Sequence, residues 1–249
     1  MRTRTCPLCK IEKHLGDFRK SHFMPAGLYH SGKKGLQYGT RLKSGRVEHH
    51  IKDLLLCSSC EQRFDDGGES YVLSLIAAKM MDEFPLHQKL RVALPRESHP
   101  DIWRFSGDDL GINMERFAYF ALSIVWRAAI NDWEMPDGTI LPKKAIGDFE
   151  PPIRKYLLGG AFPPDTSVIV IVCTDGQARR VWNTPTILIE ANCLNFRFLA
   201  RGVFFRVMMG YQMSEEFRNM SCHSPRKCLF YGSMEHRMPE IMAIFESQN

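Results

Sequence analysis

The sequence predicts an α+β fold: a cysteine-clamped finger at the N-terminus, a helical segment after it, and a C-terminal sheet that is mostly antiparallel. Three observations predict it. Two CxxC pairs, Cys6/Cys9 and Cys57/Cys60, bracket a stretch rich in Gly, Lys and His. Apolar residues then recur at helical spacing over 113–132, and β-branched runs take over from residue 167. With 249 residues and 44% hydrophobic content the chain can bury a sizeable core. The composition divides it into a finger over 1–68 and an α+β body over 69–249.

The finger comes first. No run of about 18 uncharged apolar residues occurs, and 1–10 lacks the apolar centre of a signal peptide, so the expectation is a cytoplasmic protein with no membrane partner. In a reducing compartment clustered cysteines are metal ligands or catalytic groups before they are disulfides. Each CxxC supplies two sulfurs from one tight knuckle, and Cys6, Cys9, Cys57 and Cys60 together match the four ligands of a structural Zn²⁺. Redox dithiols are the rival reading, but no thioredoxin-like βαβ pattern surrounds either pair. The 47 residues between the pairs exceed the usual ribbon spacing, which makes that insertion the expected working part. Cys173, Cys193, Cys222 and Cys228 lie in or near apolar segments and are expected to be structural, His223 with them.

The body follows in order. Ser70–Met81 is a helix-length apolar run after Gly67-Gly68 that Pro85 stops, and Asn113–Asp132 is the strongest helix, with Phe117, Phe120, Ala121, Ile124 and Val125 on one face. Arg127 within that face requires a buried partner, and an ion pair is expected. Phe149–Leu158 is a short helix opened by Pro151 or Pro152 and closed by Gly159-Gly160. Four strands are expected: Ser167–Cys173, Thr186–Ala191, and two halves of Leu194–Met209 forming a hairpin about Arg201-Gly202. Pro239–Glu246 suits a closing helix.

Charge is unevenly placed. Residues 1–64 carry thirteen Lys and Arg against five acids, a net of +8, which leaves −3 for the remainder. Such a basic unit suits a polyanion, because phosphate contacts supply most sequence-independent nucleic-acid affinity. Arg19, Lys20, Lys33, Lys34, Arg41, Lys43 and Arg46 are the candidate backbone contacts, with Tyr29 and Tyr38 available to stack on bases. A merely solvated charged face is the alternative.

Between the knuckles the chain resembles the HNH, or His-Me finger, nuclease family. The resemblance rests on CPLC at 6–9, FRKSHFMP at 18–25 and VEHHIKDLLLCSSCEQRF at 47–64, in the family's order, and covers about a quarter of the chain. It implies a ββα finger in which His22 is the general base, since a neutral imidazole removes a proton from water near working pH. It places Glu61 where the family has a metal ligand, for a catalytic Mg²⁺ or Mn²⁺. The chain departs from the family pattern at Ser21, where an acid usually precedes the histidine, and at Lys52 or Asp53, where an asparagine is expected. His49, His50, Asp53 and Asp65 are the candidate replacements, His50 the preferred one.

The resemblance thus implies a metal-dependent endonuclease acting on nucleic acid, DNA before RNA, and a role in bacterial defence. The alternatives are a catalytically decayed zinc finger that only binds nucleic acid, and a protein-interaction module. A homodimer or a partner protein is compatible with any of these.

Overall fold

The computed structural model describes residues 2–29, 50–77, 84–135, 137–190 and 192–233, together with the backbone of 37–39 and 44–46. The expected helix at Pro239–Glu246 lies outside these residues, as do Lys33, Lys34, Arg41, Lys43 and His49. Of Tyr38 and Arg46 only the backbone is described.

The chain opens with a hairpin, β1 (Thr3–Thr5) and β2 (Glu12–His14), whose turn carries the first CxxC. Next come β3 (Phe18–His22), β4 (Gln37–Gly39), β5 (Ser44–Arg46) and β6 (Lys52–Cys57). β3 pairs antiparallel with β6, setting Phe18 opposite Cys57 and His22 opposite Lys52, with a register shift between Phe18 and Lys20. α1 (Ser58–Phe64) starts at once from β6 and runs through a π turn, Asp65–Glu69, into α2 (Ser70–Ile76).

The sequence starts this helix at Ser70, after the glycines. It instead begins twelve residues earlier, and Gly67-Gly68 lie inside it. A Cβ at Gly68 would come within 2.6 Å of the Arg116 carbonyl oxygen, and one at Gly67 within 2.3 Å of the Tyr119 ring. These glycines permit close helix approach and do not end a helix.

The body adds α3 (Pro85–Val92), β7 (Glu97–His99), β8 (Ile102–Ser106) and α4 (Met114–Ile130). The short pair β9 (Trp133–Glu134) and β10 (Ile140–Leu141) precedes α5 (Glu150–Leu157). Then come β11 (Thr166–Cys173), β12 (Val181–Asn183), β13 (Thr186–Glu190), β14 (Cys193–Ala200) and β15 (Val203–Met209). α6 (Glu215–Asn219) and β16 (Cys228–Gly232) end the described chain.

Ten strands form one mixed sheet in the order β5-β4-β12-β14-β15-β11-β16-β8-β7, with β13 also on β14. All pairs are antiparallel except β11 with β16 and β12 with β4. The expected β14–β15 hairpin turns at Arg201 and Gly202, both at positive φ (47° and 84°), as a two-residue turn matched to strand twist requires. The sequence anticipated four of these strands. β12, β16, β7 and β8 are short or carry polar residues at no fixed period, so alternation alone could not find them.

α4 fits the expected helix and is buried along most of its length because it lies between the sheet and the helical run. It packs on the π turn, α5, β11 and β15. Asn113 caps it, its side chain accepting from Arg116 N at 3.3 Å. Phe120, Phe198 and Phe205 stack at 4.9–5.3 Å in its shadow. The same apolar cluster takes in Leu8, Phe18, Leu56 and Phe64, so the N-terminal segment contributes apolar side chains where its composition suggested loops and short strands without a core.

Candidate metal centre and histidine pair

The two knuckles meet. Cys6 and Cys9 project from the β1–β2 turn, where Lys10 N donates to Cys6 O at 2.8 Å and Lys10 takes φ 60°. Cys57 ends β6 and caps α1, and Cys60 lies in the first turn of that helix. The four sulfurs all lie within 4.8 Å of one another, Cys9 and Cys57 at 4.0 Å. Tetrahedral zinc at about 2.3 Å per bond needs sulfurs about 3.8 Å apart, so the donor set fits a metal ion.

The electrostatics agree. A hydrogen bond from Cys60, helped by backbone N–H groups, holds the Cys6 thiol down to about 4. The same contact and burial push Cys60 well up, and burial raises Cys9. Crowding works against several thiolates side by side, and a divalent ion held among them would offset that repulsion.

At the far end of the same strand pair stands a second arrangement. His22, at the end of β3, places Nε2 at 2.9 Å from Nδ1 of His50, two residues before β6. Tyr29 stacks on His50 with ring centroids 4.5 Å apart and lies edge-on to Trp182 at 5.0 Å. Phe23 N donates to Ile51 O at 3.0 Å, tying together the segments that carry the two histidines. Tyr29, read from sequence as a base-stacking residue, is 5% exposed and serves as the wall behind His50. Its burial raises its own hydroxyl.

Glu61 follows Cys60 on α1, half-buried, and its Oε1 is buried with no hydrogen-bond partner among the described residues. Arg127 has the expected partner: it forms an ion pair with Glu69 and donates from Nη1 to Phe23 O at 3.1 Å. Burial pushes Arg127 down to about 10, opposed by the Glu61 carboxylate and Tyr29, so it stays charged at neutral pH. Ser21 is fully buried and its hydroxyl accepts from Leu56 N at 3.1 Å. Asp53 accepts from Leu54 N and from Asn131 Nδ2.

No family model, curated protein or solved structure matches the chain.

Among the remaining candidates, Arg19 and Lys20 are exposed on β3. Asp65 accepts from Ser70 Oγ on the helical run. Cys173, Cys193, Cys222 and Cys228 are buried thiols apart from any metal cluster among the described residues. His223 is paired with Glu115 at 2.6 Å. Sequence reasoning missed Trp182 and the cavity of about 270 Å³ beside Phe23, lined also by Ala128, Trp133, Leu141 and Thr184. No motif announces either, because the residues around them come from segments far apart in the chain. Among the described residues no helix is long and apolar enough to cross a membrane.

Proposed function

We propose that this chain is an HNH-like, metal-dependent endonuclease whose finger is clamped by a structural zinc ion. The supporting observation is the histidine pair: His22 ends the first strand of a strand–strand–helix unit, faces His50 at 2.9 Å, and lies on the strand that pairs with the one leading to Cys57 and Cys60. Cys6, Cys9, Cys57 and Cys60 would hold Zn²⁺, which supplies folding free energy.

In the tautomer where His22 Nε2–H donates to His50 Nδ1, the other nitrogen of His22 is the basic one. When that nitrogen takes a proton from attacking water, the imidazolium is stabilised by its bond to His50, which acts as a positioning residue. Tyr29 fixes the His50 ring plane. A divalent Mg²⁺ or Mn²⁺, when bound, neutralises charge on the scissile phosphate. The described residues offer such an ion the orphan oxygen of Glu61. The exposed Arg19 and Lys20 suit the flanking phosphates.

The test is cleavage of plasmid DNA and of structured RNA with Mg²⁺, Mn²⁺ or EDTA. His22→Ala should lower the rate at least ~10²-fold. Cleavage at the wild-type rate in that variant would remove His22 from the chemistry.

A binding module with a decayed catalytic set is the second reading, favoured by Ser21 and Asp53. The first is a buried hydroxyl where an acid is expected, and the second is already engaged by Asn131 and Leu54. Salt-dependent DNA binding without cleavage in any metal would select it.

A further inference from the structure

A second concentration of positive charge lies in the body, at the carboxyl ends of the parallel pair β11 and β16. A column of rings and one guanidinium defines it. Arg179, in the 3₁₀ turn Gln177–Arg180, places Cζ 5.5 Å from the Phe84 ring centroid. Phe84 stacks on His87 at 6.1 Å and 10°, and His87 Nε2 is 2.8 Å from the Tyr231 hydroxyl. The Tyr231 ring lies 5.8 Å from Trp103. Arg91 follows His87 by one turn of α3 and so shares its face. The β14–β15 turn closes the floor, since a Cβ at Gly202 would come 3.0 Å from the Arg179 side chain and 3.2 Å from Phe84.

The charge here is unbalanced. Seven other arginines form ion pairs, Arg127 and Arg206 among them. Neither Arg91 nor Arg179 has a carboxylate within ion-pair distance among the described residues. Arg179 Nε is buried without a hydrogen-bond partner. Leaving such a donor unfilled is costly, since it has given up water for nothing. Burial, then Arg179 and Arg91, hold the His87 imidazole down to about 4. At neutral pH the site therefore presents two guanidinium groups, a neutral ring and a hydroxyl, and among the described residues no carboxylate is paired with either guanidinium.

We propose that Arg179 and Arg91 form a phosphate-binding site, Arg179 offering its planar fork to the oxygens of one phosphate group and Arg91 completing the charge. An oxyanion would satisfy two forks and an orphan N–H together. The site is independent of the cleavage reading, because no residue in it belongs to the finger.

The experiment titrates the metal-loaded full chain calorimetrically with inorganic phosphate and with a short oligodeoxynucleotide lacking terminal phosphates, chloride serving as the control anion. Wild type should bind phosphate in preference to chloride, and Arg179→Gln should weaken it about tenfold or more. Arg179→Lys, which keeps the charge and loses the fork, should fall between the two. Arg180→Gln, at an exposed neighbour, should leave phosphate binding unchanged. If the oligonucleotide also loses affinity in Arg179→Gln, the site takes polymer phosphates. If only inorganic phosphate does, it takes a free phosphate group. Absence of phosphate binding by wild type, or wild-type binding by an Arg179→Gln protein with a native circular dichroism spectrum and melting temperature, would overturn the proposal.

Discussion

The hairpin β1–β2 and the strand trio β11, β14 and β15 belong to one chain yet hold their shape by different physics. Every residue of β11 is buried, and β14 and β15 bury all but a few of theirs. Residues such as Val168, Val170, Val172 and Phe205 contribute about 1.5–3 kcal/mol each by leaving water. β1 is exposed at all three positions and β2 at two of three. That hairpin buries almost nothing through its own strands; its turn inserts Leu8 into the core and brings its pair of sulfurs to the pair at the start of α1. A sheet stabilised by area tolerates loss of any one contact, whereas a hairpin that relied on a metal held by four sulfurs would not.

Removing the metal should give the largest effect. Structural zinc is worth on the order of 10 kcal/mol in small units. A strong chelator, or Cys57→Ser, should therefore expose the amides of β1, β2, β3 and β6 to hydrogen exchange while those of β11 and β15 stay protected. Cys222→Ala, at a fully buried thiol of the body, should shift stability by only about 1–2 kcal/mol. Exchange of both regions at one chelator-induced midpoint would erase the contrast.

The junction between the regions ranks next. Arg127 on α4 is 2% exposed, pairs with Glu69 and holds Phe23 O. Arg127→Ala leaves the Glu69 charge without its partner and should cost about 3–5 kcal/mol in chemical denaturation. Glu69→Gln, which keeps a hydrogen-bonding partner of the same shape, should cost less.

Acid acts on the body through His87 and gives a smaller effect than loss of the metal or of Arg127. The His87 pKa is depressed in the fold, so the unfolded chain binds more protons at this residue below its ordinary pKa near 6.5. The His87 contribution is unchanged above about pH 6.5 and stability falls as pH drops toward 4, by up to about 3 kcal/mol. Thermal melts of His87→Gln should show a flatter profile across that window than wild type.

Legibility followed the same division. α4 and the β14–β15 hairpin were readable because period and turn chemistry agree with their burial. The clustering of the four cysteines was readable because CxxC fixes local geometry whatever the distance between pairs. The helical start at Ser58 was hidden by Gly67-Gly68, whose purpose is contact with Arg116 and Tyr119 on another helix, a fact no local pattern encodes. That Arg127 needs a partner could be argued, but Glu69, 58 residues away, could not be named. His50 followed only from the resemblance, since its approach to His22 depends on how residues 23–51 return to the sheet.

The helix that leaves β6 carries Cys60 near its beginning and Glu69 about 13 Å farther on, at ~1.5 Å per residue. Glu69 grips Arg127, and Arg127 grips the carbonyl of Phe23, the residue after His22. Thiolates, carboxylate, guanidinium and imidazole are thus stations on one stiff linkage. A metal ion held by the four thiols would anchor the far end of this linkage, and its loss would be felt at His22 across a distance that no single contact spans.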